Sequence, residues 1–395
     1  MALKAYCLRP VDSWFFRDGR PFNQGEKALI DVQSMFPPFA TTIVGAIRAA
    51  LAKSMGWNGH GDWSADIKAK LGDGPNLKPL KFQGPYLIRR TDGMIEPLFP
   101  APLNIVGKEP KCNEVNWTFA RLNPGRGIDC DLGKGARLPA SKNATGMKSL
   151  NGFFFTQKDM KRILHGDELQ LIKPIRGKMI SWVPQGCETK RKQVETLWDL
   201  EYAVGIERNY LTRTAEDGAI YSAQRVRLCR GVALAMNVDG LSEELKLPDT
   251  LTLGGESRMA YAEPLEKPIR IPEAPPLQPS GEIIQFTVTH LTPTYFESGL
   301  PGPGEEIQGI PGAKVISACL ERPVRIGGWD SSLDRKGDRK GPIPLKPFIP
   351  PGSTWFCEAE AGVAEMIRKL NGCHVGGYTD FGFGQVLIGS WKEDA

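Results

Sequence analysis

The stretch "PPFATTIVGAIRAALAKSMG" (37–56) places Ile43, Ile47, Leu51 and Met55 four residues apart, the spacing of one stripe of an α-helix. Thr41 or Thr42 stands where a side chain can cap its start, and Gly56 where a helix closes. Before it, "ALKAYCLR" (2–9) reads as a strand. After it, "PYLIRRTDGMIEPLF" (85–99) reads as a hairpin with Asp-Gly at its turn. Strand, helix, strand, strand is the opening order of a ferredoxin-like unit, which makes the expected fold class α+β.

Further along, from about 104 to 200, the periodicity fades into Gly, Lys and Asn, apart from a helix before "MKRIL" with Thr156 and Asp159 as a capping box. This stretch reads as an insertion. Strands return in "AIYSAQRVRL" (219–228) and "VALAMNV" (232–238), and two glycines interrupt a strand pattern in "TLTLGGESRMAYAE" (250–263). The segment 264–281, "PLEKPIRIPEAPPLQPSG", is proline-rich enough to stay extended and reads as a linker. Beyond it, "IIQFTVTHL", "AKVISACL", "STWFCEAE" and "GQVLIG" read as strands and "GVAEMIRKLNG" as a helix ended by Gly372. The expected organisation is an N-terminal unit over 1–263 with the insertion, a linker over 264–281, and a C-terminal unit over 282–395, each a small sheet with helices on one side.

At 395 residues, two units fit better than a single core, and 44 glycines with 32 prolines argue against a helical bundle. A formal charge of +5 is mild, so any nucleic acid would bind to local patches. Eight scattered cysteines without a Cys-x-x-Cys pair and four dispersed histidines give no zinc spacing, and no cofactor motif is recognisable. The longest apolar tract, "IVGAIRAALA", is interrupted by Arg48, so no membrane span is expected, and the expected location is the cytoplasm with reduced thiols.

The stretch "WFFRDGRPF" (14–22) sets Phe15, Phe16 and Phe22 against a turn holding Arg17 and Arg20. Either the aromatics simply anchor a loop, or the anchoring aims the arginines at an anion. The amino terminus of the following helix, at Thr41 and Thr42, is itself an anion site, and Arg48 is either solvated or held beside that start. "GIERNYL" (205–211) sets Arg208 and Asn209 beside Tyr210, a mix suited to phosphate contact, base-edge hydrogen bonding and stacking, although a turn with a buried tyrosine explains it too. Gly376, Gly377, Gly382 and Gly384 could cradle phosphate or form a tight strand-entry loop with Tyr378, Phe381 and Phe383 packed inward. The basic runs 190–192 and 335–340 read as solvated loops or as backbone attraction for RNA. For metal-independent RNA cleavage, His290 at a strand end is the one candidate, with a satisfied structural histidine as the competing reading.

Taken in order, "FFRDGRPF", "PPFATTIVGAIRAAL", "VGIERNYLTRTAEDGAIYSA", "LTLGGESRMA", "LTPTYF", "RIGGWD", "PPGSTWF" and "GGYTDFGFGQVLIG" resemble the third subunit of the Cmr module, a RAMP-superfamily family of type III-B CRISPR effector complexes. The resemblance implies two ferredoxin-like, RNA-recognition-like domains that hold the 5′ tag of the CRISPR RNA beside the large polymerase-like subunit and the repeating RAMP backbone subunit. Contact with target RNA would be indirect, and the subunit non-catalytic. Residues carried over by position are Arg17, Asp18, Thr42, Arg48, Arg208, Asn209, Arg258 and the terminal glycine loop. That loop carries Thr379, Asp380 and Phe381 where many RAMP proteins have basic residues, and Ser257 stands where another glycine is common. The alternatives are a metal-independent processing endoribonuclease and a purely structural scaffold.

Overall fold

The computed structural model describes residues 3–17, 31–110, 116–131, 133–178, 195–333 and 339–391. The N-terminal elements are β1 (Lys4–Pro10), α1 (Ala40–Ser54), α2 (Ala65–Leu71), β2 (Lys81–Thr91), β3 (Met94–Pro100), α3 (Gln157–His165), β4 (Thr196–Arg208), β5 (Ala215–Leu228), β6 (Val232–Asp239), β7 (Thr250–Thr252) and β8 (Met259–Pro264). Asp92 and Gly93, at φ 50° and 79°, join β2 to β3, the two left-handed residues that a two-residue hairpin turn needs. The sheet runs β7-β8-β1-β6-β2-β3 and continues through Phe153–Thr156 and Ile175–Lys178 to β4 and β5. β6, almost wholly apolar and buried, takes the centre between β1 and β2.

Helix α1 lays Ile43, Ile47 and Leu51, all fully buried, on this sheet. Its start departs from the expectation. The N-cap is Phe39, no side chain caps it, and the helix already runs at Ala40, so Thr41 and Thr42 lie inside the first turn rather than before it. Its end is as expected, with Gly56 at φ 97° while Trp57 N–H donates to Ala52 O.

The C-terminal elements are β9 (Ile283–His290), β10 (Lys314–Cys319), β11 (Val324–Leu333), β12 (Arg339–Phe348), β13 (Thr354–Glu360), α4 (Ala364–Lys369) and β14 (Val386–Ser390). Their antiparallel sheet runs β10-β13-β9-β14. In chain order this is second, third, first, fourth. Among β1, β2, β6 and β8 the N-terminal sheet repeats that order, again antiparallel throughout. Helix α1 follows the first strand of the N-terminal unit, and α4 follows the third strand of the C-terminal one.

One expectation is corrected here. The 104–200 insertion is largely β, with strands at Ile105–Lys108 and Thr118–Arg121 and a ribbon of Asn123–Cys130 on Gly133–Ala140. Its glycines hid the alternation: Gly125 has its Cβ position 2.9 Å from Leu138 O, so a side chain there would collide with the facing strand. Within it, α3 is half of a capping box: Thr156 Oγ1 accepts from Asp159 N–H at 3.2 Å, but the Asp159 carboxylate turns to Lys173 N–H. The proline-rich segment is extended, as its prolines predict, and it packs on the cores. Ile269 is buried, and its N–H and C=O both bond the Asn237 side chain of β6 at 2.9 Å, in a cluster that also holds Cys7, Tyr86, Met160 and Leu387. Among the described residues no helix is long and apolar enough to cross a membrane.

Candidate nucleic-acid interface

Three stretches far apart in sequence meet beside α1. Trp14 exchanges both backbone hydrogen bonds with Val226 at 2.9 and 2.7 Å, and its ring lies among Phe16 and Phe36. That anchoring fixes Phe15 O, which accepts Gly255 N–H at 2.8 Å. Gly254 (φ 97°) has its Cβ position 2.7 Å from Phe15 O, and Gly255 has its own 2.7 Å from the Phe15 ring. So the glycine pair lets one loop press on the other. Between these loops and α1 lies a groove of about 400 Å³ lined by Phe15, Arg17, Thr42, Gly45, Ala49 and Gly254. Arg17 is exposed at its lip, Thr42 is exposed and Thr41 half-buried. Asp18, Arg20 and Phe22 lie outside the described residues.

Arg48 does not face this groove, and its assignment to RNA is corrected. It is buried, its Nε donates to Leu71 O at 2.8 Å, its Nη1 donates to Gly74 O at 2.9 Å, and it lies 5.0 Å from the Trp63 ring. Burial pushes the guanidinium down to about 10. It closes the end of α2 onto α1. Arg48→Met is expected to cost about 3 kcal/mol in chemical denaturation, because two carbonyls lose charged donors, while RNA affinity of the folded protein stays unchanged.

Arg258 is likewise committed to the protein. It lies 3.5 Å from Asp12 and 3.7 Å from Glu256, in a network where Arg225 holds Glu256 at 2.6 Å and Arg227 holds Asp12 at 2.7 Å and also Glu201. The Arg227 hydrogen bond holds the Asp12 carboxyl below its ordinary range. Three cations meet three anions, so the network carries no surplus charge toward an RNA. It joins the opening loop, the β4–β5 hairpin and the glycine-pair turn, where Glu256 and Ser257 adopt φ 54° and 53°.

Residues 6–391 match the model of the CRISPR-associated protein family Cas_Cmr3. The chain belongs to the Cas_Cmr3 family. It is thus a CRISPR-associated protein. Solved structures similar to this Cas_Cmr3 chain include a subunit of the type III-B Cmr-beta complex bound to cognate target RNA and AMPPnP, at 15% identity and TM-score 0.44 over 93% of this chain and 89% of that one. Another state of Cmr-beta bound to cognate target RNA gives 16% and 0.41 over the same shares. A chain of the Csm3–Csm4 subcomplex of the type III-A interference complex gives 12% and 0.36 over 89% of this chain and 92% of that one. No curated protein matches the sequence.

The remaining residues singled out in this Cas_Cmr3 sequence fall in two places. Strands β4 and β5 form a long hairpin whose tip holds Arg208, Asn209 and Tyr210. Asn209 Oδ1 accepts from Leu211 and Thr212 N–H at 2.9 and 3.1 Å, so its side chain builds the turn instead of offering a base-reading edge. Tyr210 is 98% exposed, which overturns the buried-tyrosine reading and leaves a bare ring at the tip. Arg208 is exposed, with Nη2 donating to Arg213 O at 3.1 Å. The run 190–192 lies outside the described residues, as does most of 335–340.

The terminal glycines face protein, and the phosphate-cradle reading of them is corrected. Gly384 has its Cβ position 1.9 Å from Val375 O, Gly376 has its own 2.4 Å from Tyr295 O, and Gly382 has its own 2.7 Å from Gly84 O of the N-terminal sheet. Gly377 N–H donates to Tyr295 O at 2.8 Å. This is the tight strand-entry loop, with Phe383 fully buried and Tyr378, at φ 61°, left half-exposed beneath Lys346 Nζ at 5.1 Å from its ring. His290 ends β9 with no exposed surface, its Nδ1 2.5 Å from Thr294 Oγ1. Sequence reading missed the groove floor of Gly45, Ala46 and Ala49; the available signal was small residues on the helix face opposite Ile43 and Ile47.

Proposed function

We propose that this subunit is non-catalytic and holds the 5′ tag of the CRISPR RNA, bridging the large polymerase-like subunit to the repeating backbone subunit, and that its two sheets are ferredoxin-like units. The observation that carries the reading is the meeting of Phe15–Arg17, the first turns of α1 and Gly254–Gly255 around one open groove. An exposed arginine at the lip and the positive end of a helix suit a phosphate, and the small side chains of Gly45, Ala46 and Ala49 leave room for a bent single strand. The bare ring of Tyr210 suits a stacked base at a second contact. Arg48, Arg258 and Asn209 have no part in it. Non-catalysis is supported by the burial of His290, which leaves that ring out of reach of a scissile phosphate.

A photoreactive nucleotide placed in the 5′ tag is expected to crosslink within 14–17, 40–49 or 208–211 in the complex with the large subunit. Crosslinks confined to other subunits would leave this chain a scaffold. Arg17→Ala is expected to weaken tagged-RNA binding about tenfold and to flatten the logarithmic salt slope by roughly 0.7, one single-strand phosphate contact. An unchanged slope would remove Arg17 from the RNA. Cleavage of repeat RNA in EDTA that disappears in His290→Ala would establish the nuclease reading instead.

A further inference from the structure

The groove beside α1 does not end at Thr42. It continues as a second hollow of about 380 Å³ that shares Ala46, Ala49 and Thr252 with the first and reaches Lys53. Its other wall is β7, and it touches Thr250, Leu251 and Thr252 in succession. Consecutive strand residues point to opposite faces of a sheet, so a hollow that meets three in a row reaches the edge of the strand, and Met259 of β8 lines it from beside that edge. β7 is that edge, the terminal strand of its sheet, paired with β8 alone.

The backbone polarity of this edge follows from the register. Asp249 O accepts from Ala262 N–H at 2.8 Å, and Leu253 N–H donates to Arg258 O at 2.7 Å. In an antiparallel ladder the residues between these two that bond β8 alternate, so Leu251 turns inward while Thr250 and Thr252 turn their N–H and C=O outward into the hollow. Both threonines are exposed. No helix follows β6: the chain crosses from β6 to β7 through a loop that buries Leu241 and Leu247 in the core beside α1.

We propose that this hollow receives an extended polypeptide segment of another subunit of the effector, added as a strand on β7. A row of outward donors and acceptors at strand spacing complements another strand, roughly 4.8 Å away, better than a phosphate backbone, which offers acceptors only. Past Ala46 and Ala49, where the two hollows meet, Ala50 leaves room for a small side chain on the inserted strand. Lys53 lines the same hollow, is exposed and forms no ion pair with a described residue, so the segment carries a carboxylate there. The inference rests on the proposed place of the chain in a multiprotein effector and not on tag binding. Loss of tag crosslinks near Arg17 would leave it standing.

Hydrogen exchange at the Thr250 and Thr252 amides tests it in four samples: the chain alone, the chain with CRISPR RNA, the assembled effector, and the effector after nuclease digestion. Slowing of tenfold or more is expected in both effector samples and not with RNA alone. Fast exchange in the effector, or equal slowing by RNA, overturns the proposal. Thr250→Pro, at a residue that lines the second hollow and not the first, deletes an outward N–H without touching the ladder to β8, since a proline is tolerated on an outer edge. It is expected to lower incorporation into the effector at least tenfold with an unchanged melting temperature, and normal incorporation of the folded variant would overturn the proposal as well.

Discussion

Gly384→Ala is expected to lose about 4 kcal/mol of unfolding free energy, enough to leave much of the chain unfolded at 37 °C. Two costs coincide at this position. The backbone sits at φ 77°, where any side chain is strained, and the Cβ would lie 1.9 Å from Val375 O and 3.0 Å from Val375 C. The neighbour cannot withdraw, because Val375 N–H is itself bonded to Gly384 O at 2.9 Å. Gly281→Ala supplies the comparison: its φ is 67° but nothing lies within reach of a Cβ, so about 1 kcal/mol is expected. Denaturant midpoints of the two variants measure the difference directly. Equal losses would mean that the terminal loop is loosely held and open to a ligand, contrary to its packing.

The second large effect is acid sensitivity. Burial lowers His290 to about 3 and, with the same leading cause, His374 to about 4, against an ordinary histidine value near 6.5. Below pH 6.5 the unfolded chain takes up protons at these sites and the folded chain does not. Stability therefore falls as pH drops from 6.5 toward 4, and it is fully present above 6.5. At about 1.36 kcal/mol per pH unit and site, the pair is expected to cost roughly 4 kcal/mol by pH 5. Urea midpoints at pH 7 and pH 5 give this slope, and His290→Asn is expected to remove about half of it. A slope unchanged in that variant would place the acid-sensitive groups elsewhere.

What was legible in the sequence was whatever a short-range pattern encodes. Four-residue spacing gave α1, Asp-Gly gave the β2–β3 turn, and apolar runs gave β6, β9 and β13. The sheet order was not legible, because β1 pairs with β6 and β8 across more than two hundred residues and nothing local marks that choice. The ribbons at Asn123–Ala140 and Val324–Phe348 escaped because prolines and glycines dilute the alternation that marks a strand. Among the site residues, charge misled where burial decides. Arg48 and Arg258 look from their types like phosphate ligands, yet carbonyls and carboxylates of the chain itself take up their guanidiniums. Asn209 looks like a base reader and instead closes a turn. In the aromatic loop, Phe15 and Phe16 pack inward as expected and Arg17 beside them is exposed, while Phe22 lies outside the described residues.

The proline-rich segment between the two sheets has a mechanical meaning. Ile269 clamped on Asn237, Leu277 in the second core and Gly382 pressed against Gly84 leave no swivel between the halves. The α1 groove and the terminal loop therefore sit on one braced block, each half buttressing the other through the segment that joins them.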